Sequence, residues 1–348
     1  MKLLVITQKV DKRDENLGSF HRWLEEFAKH FDRVTVIANS EGKHSLPANV
    51  EVYSLGKERG ISRFKKVYKF LELFSHYYAR ADGVFFHMIP EFVLVSSPFL
   101  ISHSKPSVLW YVHKSTTWKL KWAEKLVRYI FTASELSFRL PSKKVIYSGH
   151  AIDTEMFKPG VTKYSPVLKI LSVGRISPVK SLETLLKACA ILRNSWPRQW
   201  ALSLVGGPIL ERDREYLSTL KKFVREERLE NNVMFHGPRP YTEILDTYRD
   251  HDMFISMSTT GSIDKAVLEA MSCGLTTITS NEAFYGILKP PYFLEKRSPE
   301  LLASRIKMLA DENRPRHDLR ELVVNSHSLS RTVERIVSCL SSNKTSGL

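Results

Sequence analysis

At 348 residues the chain exceeds the roughly 250–300 residues at which single cores stop growing, so two domains are expected. A hydrophobic fraction of 43% can fill both cores, and 26% charged residues, near the ordinary value of roughly 25%, excludes a disordered or fibrous chain. The net charge of +15 is uneven: residues 1–165 hold 26 basic against 16 acidic side chains, a net +10, and the remainder 26 against 21, a net +5.

Short apolar strands alternate with amphipathic stretches from the start, the pattern of parallel sheets covered by helices. Lys2 to Thr7 predicts a first buried strand and is too short for a signal peptide. After a polar loop to Gly18, a helix over about Ser19 to Phe31 would turn Phe20, Trp23, Leu24, Phe27 and Ala28 to one side, before a strand at Arg33 to Ala38. Further strands are expected at Val50 to Ser54, Gly83 to His87, Ser107 to Val112, Tyr129 to Ala133 and Lys144 to Tyr147. Residues 148–166, with Gly149, Pro159, Gly160 and Pro166, read as an interdomain connection. A second series follows: strands at Leu168 to Val173, Ala201 to Val205, Val233 to His236, Met253 to Ser256 and Thr276 to Thr279. Helices between them are expected at Ser181 to Arg193, Asp213 to Glu227, Tyr241 to Arg249 and Lys265 to Ser272, with polar helical residues from Pro299 onward.

Two stretches carry much of the basic excess. Lys57 to Lys69 holds six cations against Glu58 and includes Phe64 and Tyr68; Lys114 to Arg128 holds five against Glu124 and includes Trp118 and Trp122. Cations with aromatics at helical spacing suit an anionic membrane surface, with nucleic acid the less favoured partner. The structural alternative is a solvated face with its aromatics turned into the core. No apolar run reaches the roughly 18 residues of a spanning helix. Cys189, Cys273 and Cys339 are scattered and odd in number, which argues against a disulfide framework or a paired-cysteine zinc site. A cytoplasmic location, with a peripheral station on the cytoplasmic face of a membrane, is the expectation.

The sharpest constellation is the run Ser172 to Ser181. A strand enters Gly174, and a loop with Arg175 and Lys180 follows, ending at Ser181, a good residue to cap the next helix. Ligands of open α/β sheets sit past the carboxyl ends of strands, where helix N-termini and cations can hold a diphosphate. Arg175 can fork onto two phosphate oxygens while Lys180 supplies a point charge, and together they could stabilise a departing nucleoside diphosphate; two solvated loop cations are the alternative. A second constellation runs from Ser258 to Thr276. Its polar and glycine residues after a strand expose backbone N–H groups, and Glu269 on the following short helix could accept both hydroxyls of a ribose.

The run from Ser172 to Gly274 resembles the donor-binding half of retaining GT-B glycosyltransferases, the family 4-like group ("glycosyl transferases group 1") that includes bacterial mannosyltransferases and sucrose synthases. Beyond Arg175 and Lys180, the likeness includes Leu204-Val205-Gly206-Gly207-Pro208, Val233-Met234-Phe235-His236-Gly237 and Leu268-Glu269-Ala270-Met271-Ser272-Cys273-Gly274. It implies an α/β chain of two Rossmann-like domains facing each other across a cleft: an acceptor domain over 1–160 and a donor domain over 161–327, with a helix at about 328–345 packing back on the first. By the same resemblance Arg175 and Lys180 hold the diphosphate, Glu269 the ribose, and the backbone of Gly237 to Arg239 the base. Gly174, Gly261, Ser262, Ile263 and Asp264 lie where the family's glycine-rich turns approach donor phosphates and sugar. The implied reaction retains anomeric configuration, uses no metal or cofactor, and moves a hexose from a UDP- or GDP-linked donor to a glycan, lipid-linked saccharide or other hydroxyl acceptor, as in polysaccharide biosynthesis.

One departure concerns the sugar: relatives place a second glutamate eight residues before the position of Glu269, where this chain has Gly261. Either Asp264 or backbone groups take over, or the donor is held differently. The likeness is weaker in the first half. Leu17-Gly18-Ser19-Phe20 stands where relatives have a glycine pair, Val112-His113-Lys114 and Thr132-Ala133-Ser134-Glu135 match later strand ends, and Tyr147 to Asp153 stands for an Asn-Gly-Val-Asp turn, with His150 inserted. His113 could bond a sugar hydroxyl or assist proton transfer, with His87 a lesser candidate. Asp250-His251-Asp252 looks like the metal motif of the other major glycosyltransferase fold, but it falls at a polar junction before a strand, so no metal site is expected. A nucleotide-sugar epimerase of GT-B fold and a non-catalytic sugar-nucleotide or polyanion binder on a degenerate scaffold are the competing readings.

Overall fold

The computed structural model describes residues 1–14, 17–103, 105–161, 165–311 and 315–342. Two compact units divide the chain. The first holds Met1–Asp153, Pro240–Thr242 and the described residues from His327 onward; the second holds the described residues of Thr154–Arg239 and Glu243–Ser326.

In the first unit the chain runs β1 (Lys2–Val10), α1 (Ser19–His30), β2 (Arg33–Glu41), β3 (Val50–Ser54), α2 (Arg63–Arg80) and β4 (Gly83–His87). It continues through α3 (Pro90–Val95), α4 (Ser97–Ser102), β5 (Ser107–Trp110), α5 (Trp118–Leu126), β6 (Tyr129–Thr132) and β7 (Val145–Tyr147). The strands form a parallel seven-stranded sheet in the order β3-β2-β1-β4-β5-β6-β7. β1 extends to Val10, three residues past the expected end, because Lys9 and Val10 pair with Ser40 and Glu41 of a likewise longer β2. The apolar side of α1, with Phe20, Trp23, Leu24 and Phe27 buried, packs on one face of this sheet. Phe70, Phe74 and Tyr78 of α2 share the other face with Leu120 and Ala123 of α5.

The second unit runs β8 (Leu168–Val173), α6 (Leu182–Ser195), β9 (Trp200–Val205), α7 (Glu211–Glu226), β10 (Val233–Gly237) and α8 (Ile244–Arg249). It is completed by β11 (Met253–Ser256), α9 (Lys265–Ser272), β12 (Thr276–Thr279), α10 (Pro299–Leu309) and α11 (His317–Ser326). The expected helix from Tyr241 splits: Tyr241–Glu243 is a single 3₁₀ turn and α8 starts at Ile244. The parallel sheet has the order β10-β9-β8-β11-β12. The chain therefore moves outward from β8 to β10 and returns to β11 on the other side of β8. That reversal is the switch point at which open α/β sheets leave a crevice beyond the strand ends. The last helix, α12 (Leu329–Ser341), buries Leu329, Val333, Ile336 and Leu340 in the core beside Phe20 and Phe27 of the first unit.

Candidate donor site in the second unit

The site starts from a close approach of two backbones. Gly174 follows β8 with φ +144°, and Gly206 follows β9 with φ +135°. A Cβ on Gly206 would lie 1.9 Å from the Gly174 carbonyl oxygen, so only glycine permits this crossing. The two loops are laced by Gly174 N–H donating to Val205 O at 2.9 Å and Ile176 N–H donating to Gly207 O at 3.0 Å. A Cβ on Gly174 would also crowd the Lys180 stem, its Cε being 3.1 Å away.

Arg175 and Lys180 both line the shallow recess beyond β8, together with Ser172, Gly174, Leu204 and Ser256. Arg175 is part exposed; its Nε donates to Ser177 Oγ at 3.3 Å and lies 4.0 Å from Asp213 Oδ2. The Asp213 carboxylate also accepts N–H bonds from Leu210 and Ile209, and these, the Leu210 bond first, hold its pKa below the ordinary value with help from Arg175. An acceptor-only anion thus holds the guanidinium by its edge. Lys180 Nζ donates to Asp264 Oδ2 at 2.5 Å, and Ser256 Oγ donates to the same oxygen at 3.4 Å. Ser181 departs from expectation: it stands at the N-cap position of α6, but with φ +45° and ψ +45° its side chain makes no capping bond. The left-handed backbone there aims the hydroxyl away from the first turn, and the N–H of Leu182 is bonded instead by the Tyr216 hydroxyl oxygen.

The loop after β11 comes to the same strand ends. Thr259 donates through both its N–H and its hydroxyl to the Val179 carbonyl, at 2.8 and 3.2 Å, which ties it to the Lys180 loop. Asn281 Nδ2 fixes the Ser262 carbonyl at 2.8 Å. Gly261 has φ +64°, Ile263 is buried, and Asp264 precedes α9. Glu269, on α9, is buried and accepts a bond from the Tyr248 hydroxyl at 2.9 Å. Burial is the main cause that pushes its pKa up to about 7; the Lys265 charge and the Tyr248 hydroxyl pull the other way. Tyr248 is therefore the hydrogen-bond partner of Glu269. Gly237, with φ +72°, ends β10, and Arg239 stands exposed just beyond. Those two residues lie two strands from β8, about 10 Å along the sheet edge.

Gly18 and His113 belong to the first unit and are not among the groups gathered here. A Cβ on Gly18 would lie 2.4 Å from the Asp14 carbonyl oxygen, so its glycine is a packing requirement. His113 is exposed, and its Nδ1 accepts the Ser115 N–H at 3.1 Å, which leaves Nε2 carrying the proton of the neutral ring. His87 is buried, stacked on Phe20 at 3.9 Å between centroids and bonded to Thr7 at 3.2 Å. At the opposite, amino ends of β8 and β11, Asp252 accepts the Lys169 N–H at 2.8 Å and His251 bonds the Thr247 carbonyl. Among the described residues, no three His, Cys, Asp or Glu side chains are gathered as for a metal ion.

Residues 153–322 match the family model described as glycosyl transferases group 1. A D-inositol 3-phosphate glycosyltransferase of Frankia alni is 30% identical over 140 residues, covering 37% of this chain and 34% of the relative. Mannosylfructose-phosphate synthase of Agrobacterium fabrum is 28% identical over 112 residues, covering 32% and 25%. The matched stretch thus spans a quarter to a third of these relatives. Among solved structures, Anabaena HepE in complex with UDP and glucose aligns with a TM-score of 0.75 and 18% identity, covering 98% of this chain and all of that one. At that identity the likeness establishes the fold, which is GT-B.

Proposed function

We propose that this chain, whose residues 153–322 match the glycosyl transferases group 1 family model, is a member of that family and transfers a hexose from a nucleotide sugar to a hydroxyl acceptor with retention of configuration. The observation that carries the reading is the convergence of Arg175, Lys180 and Asp264 at the reversal between β8 and β11. Two cations and a carboxylate at a strand-end crevice suit a diphosphate joined to a polyol. The HepE complex with UDP and glucose supports a uridine nucleotide as the first donor to try.

As the bond from the anomeric carbon to the diphosphate oxygen breaks, negative charge grows on the leaving oxygen. Arg175, with its edge fixed by Asp213 and Ser177, neutralises that charge at little reorganisation cost, and Lys180 adds a point charge. The acceptor hydroxyl attacks from the face the diphosphate leaves, and its proton passes to the departing oxygen, so no nucleophile of the chain is consumed. Glu269 receives the ribose hydroxyls, Gly237 to Arg239 the base, and Gly261, Ser262 and Ile263 the phosphates and sugar by backbone groups. No metal takes part in this scheme.

Calorimetry with UDP, GDP and ADP, followed by turnover of the matching nucleotide sugars, tests the reading. Arg175→Ala should lower kcat/KM by roughly 10²–10³, the usual cost of one preorganised charge donor. If none of the three nucleotides binds, or the variant behaves as the parent, the reading fails.

A further inference from the structure

Two basic stretches remain outside the donor site, and their aromatics are not turned into the core. Phe64 and Tyr68 on the first turns of α2 are 88% and 74% exposed, and Trp118 and Trp122 on α5 are 64% and 56% exposed. The buried residues of the same helices, Phe70, Phe74, Leu120 and Ala123, lie on one sheet face, so both helices belong to one layer of the first unit. Both helices follow strands of the parallel sheet and so begin at its carboxyl end. There Lys119 Nζ bonds Glu91 Oε1 of α3 at 2.7 Å. Phe64 and Trp118, on the first turns of the two helices, therefore stand at one end of the layer. Around them are the exposed Lys65 on α2 and Lys121 and Lys125 on α5, with Lys125 Nζ 4.6 Å from the Trp122 ring centre.

We propose that this end of the first unit docks on an anionic lipid bilayer, with Phe64, Tyr68, Trp118 and Trp122 entering the headgroup region and the lysines facing acidic headgroups. Tryptophan and phenylalanine flanked by lysine suit that interface because the ring leaves water while the cation stays at the charged surface. Side chains exposed by more than half stand out from the surface, whereas a nucleic-acid strand is held in a groove that tracks its backbone. Among the described residues no helix is long and apolar enough to cross a membrane, so the contact is a surface one. Both helices follow strands and so begin at the carboxyl end of the sheet, the end that also carries His113. Resting on the transferase reading, this points to a lipid-linked acceptor presented at the bilayer.

The test uses the full chain with vesicles of phosphatidylcholine alone and vesicles in which about a third of the lipid is phosphatidylserine. Sedimentation should show at least about tenfold tighter binding to the anionic vesicles, weakened by salt, with a blue shift of tryptophan emission. Trp118→Ala with Trp122→Ala, and separately Phe64→Ser with Tyr68→Ser, should each cut vesicle binding by about tenfold or more. Both variants should keep the parent's circular dichroism and nucleotide affinity. Lys221→Glu with Lys222→Glu on α7 of the second unit should change vesicle binding less than about twofold. Equal binding to both vesicles, an equal loss in the α7 variant, or tighter binding to a single-stranded oligonucleotide than to anionic vesicles would overturn the proposal. Vesicle binding without nucleotide binding would leave it standing and sink the transferase reading instead.

Discussion

With Glu269 proposed as the ribose ligand, donor binding should be coupled to protons. Its carboxyl is held at a pKa of about 7 mainly by burial, so in the empty site it is part protonated at neutral pH. Accepting two ribose hydroxyls favours the ionised form, and binding must then release a proton. The affinity for a nucleotide sugar, whose own diphosphate does not titrate near neutrality, should rise between pH 6 and pH 8, and calorimetry in buffers of different ionisation heat should record the release. Glu269→Gln should bind weakly and without that slope. The stability sign is opposite to that of an ordinary paired carboxylate: with the folded pKa raised, this group's favourable contribution is complete below about pH 4.5 and is lost as pH rises through about 7. A second prediction concerns the Lys180–Asp264 pair, which a diphosphate must compete with. If Asp264 takes over the role of the glutamate that relatives carry at Gly261, Asp264→Asn should bind UDP more tightly, by up to about tenfold, yet turn over the nucleotide sugar more slowly. A loss of UDP affinity in this variant would show that Asp264 holds Lys180 in place rather than reading the sugar. Arg175, Lys180 and Asp264 were each singled out by their place behind a strand; the pairing of Lys180 with Asp264, 84 residues away, and of Arg175 with Asp213 was not legible, because the sheet alone brings them together.

Elements were most legible where patterning was strict. β8, β11, β12 and α9 begin and end at the expected residues, because buried strands bounded by glycine and polar loops leave little freedom at their ends. β1 and β2 ran longer than expected because Lys9, Ser40 and Glu41 are polar residues held by pairing between strands, which periodicity does not record. α2 illustrates a different limit. It carries Phe64, Tyr68, Phe70, Phe74, Tyr77 and Tyr78 around its circumference, so only packing decides that Phe70, Phe74 and Tyr78 are buried while Phe64 and Tyr68 face water. The glycine turns allow a test at this scale. Gly206→Ala would drive a methyl into the Gly174 carbonyl and spread the ends of β8 and β9, and should lower stability by about 2–4 kcal/mol and UDP affinity with it. Gly237→Ala, at φ +72° with nothing within 4 Å of the added carbon, should lose only the roughly 1–2 kcal/mol of a left-handed backbone. Urea midpoints of the two variants check the contrast; equal losses would mean that the Gly174–Gly206 crossing is not tight.

At the scale of the whole molecule, the chain's two ends build one core while the nucleotide groups belong to another. α12 supplies Leu329, Val333, Ile336 and Leu340 to the core that holds α1 and β1, whereas Arg175, Lys180, Arg239 and Glu269 all belong to the second unit. Damage to α12 should therefore be felt as stability of the first unit and not as loss of the nucleotide site. Val333→Ala with Ile336→Ala removes two fully buried branched side chains and should destabilise the first unit by several kcal/mol, the isoleucine change alone being worth about 2–5 kcal/mol. UDP affinity at a temperature where the variant is folded should stay within about threefold of the parent, because Arg175, Lys180 and Glu269 belong to the second unit. In a melt followed by hydrogen exchange, UDP at about a hundred times its Kd should protect β8 and β11 by about 2.7 kcal/mol. The amides of β1 and α12 should open early in the variant whether or not UDP is present. If UDP affinity instead falls in step with the loss of α12 packing, the nucleotide site depends on the first unit, and the assignment of the diphosphate grip to the second unit alone is wrong.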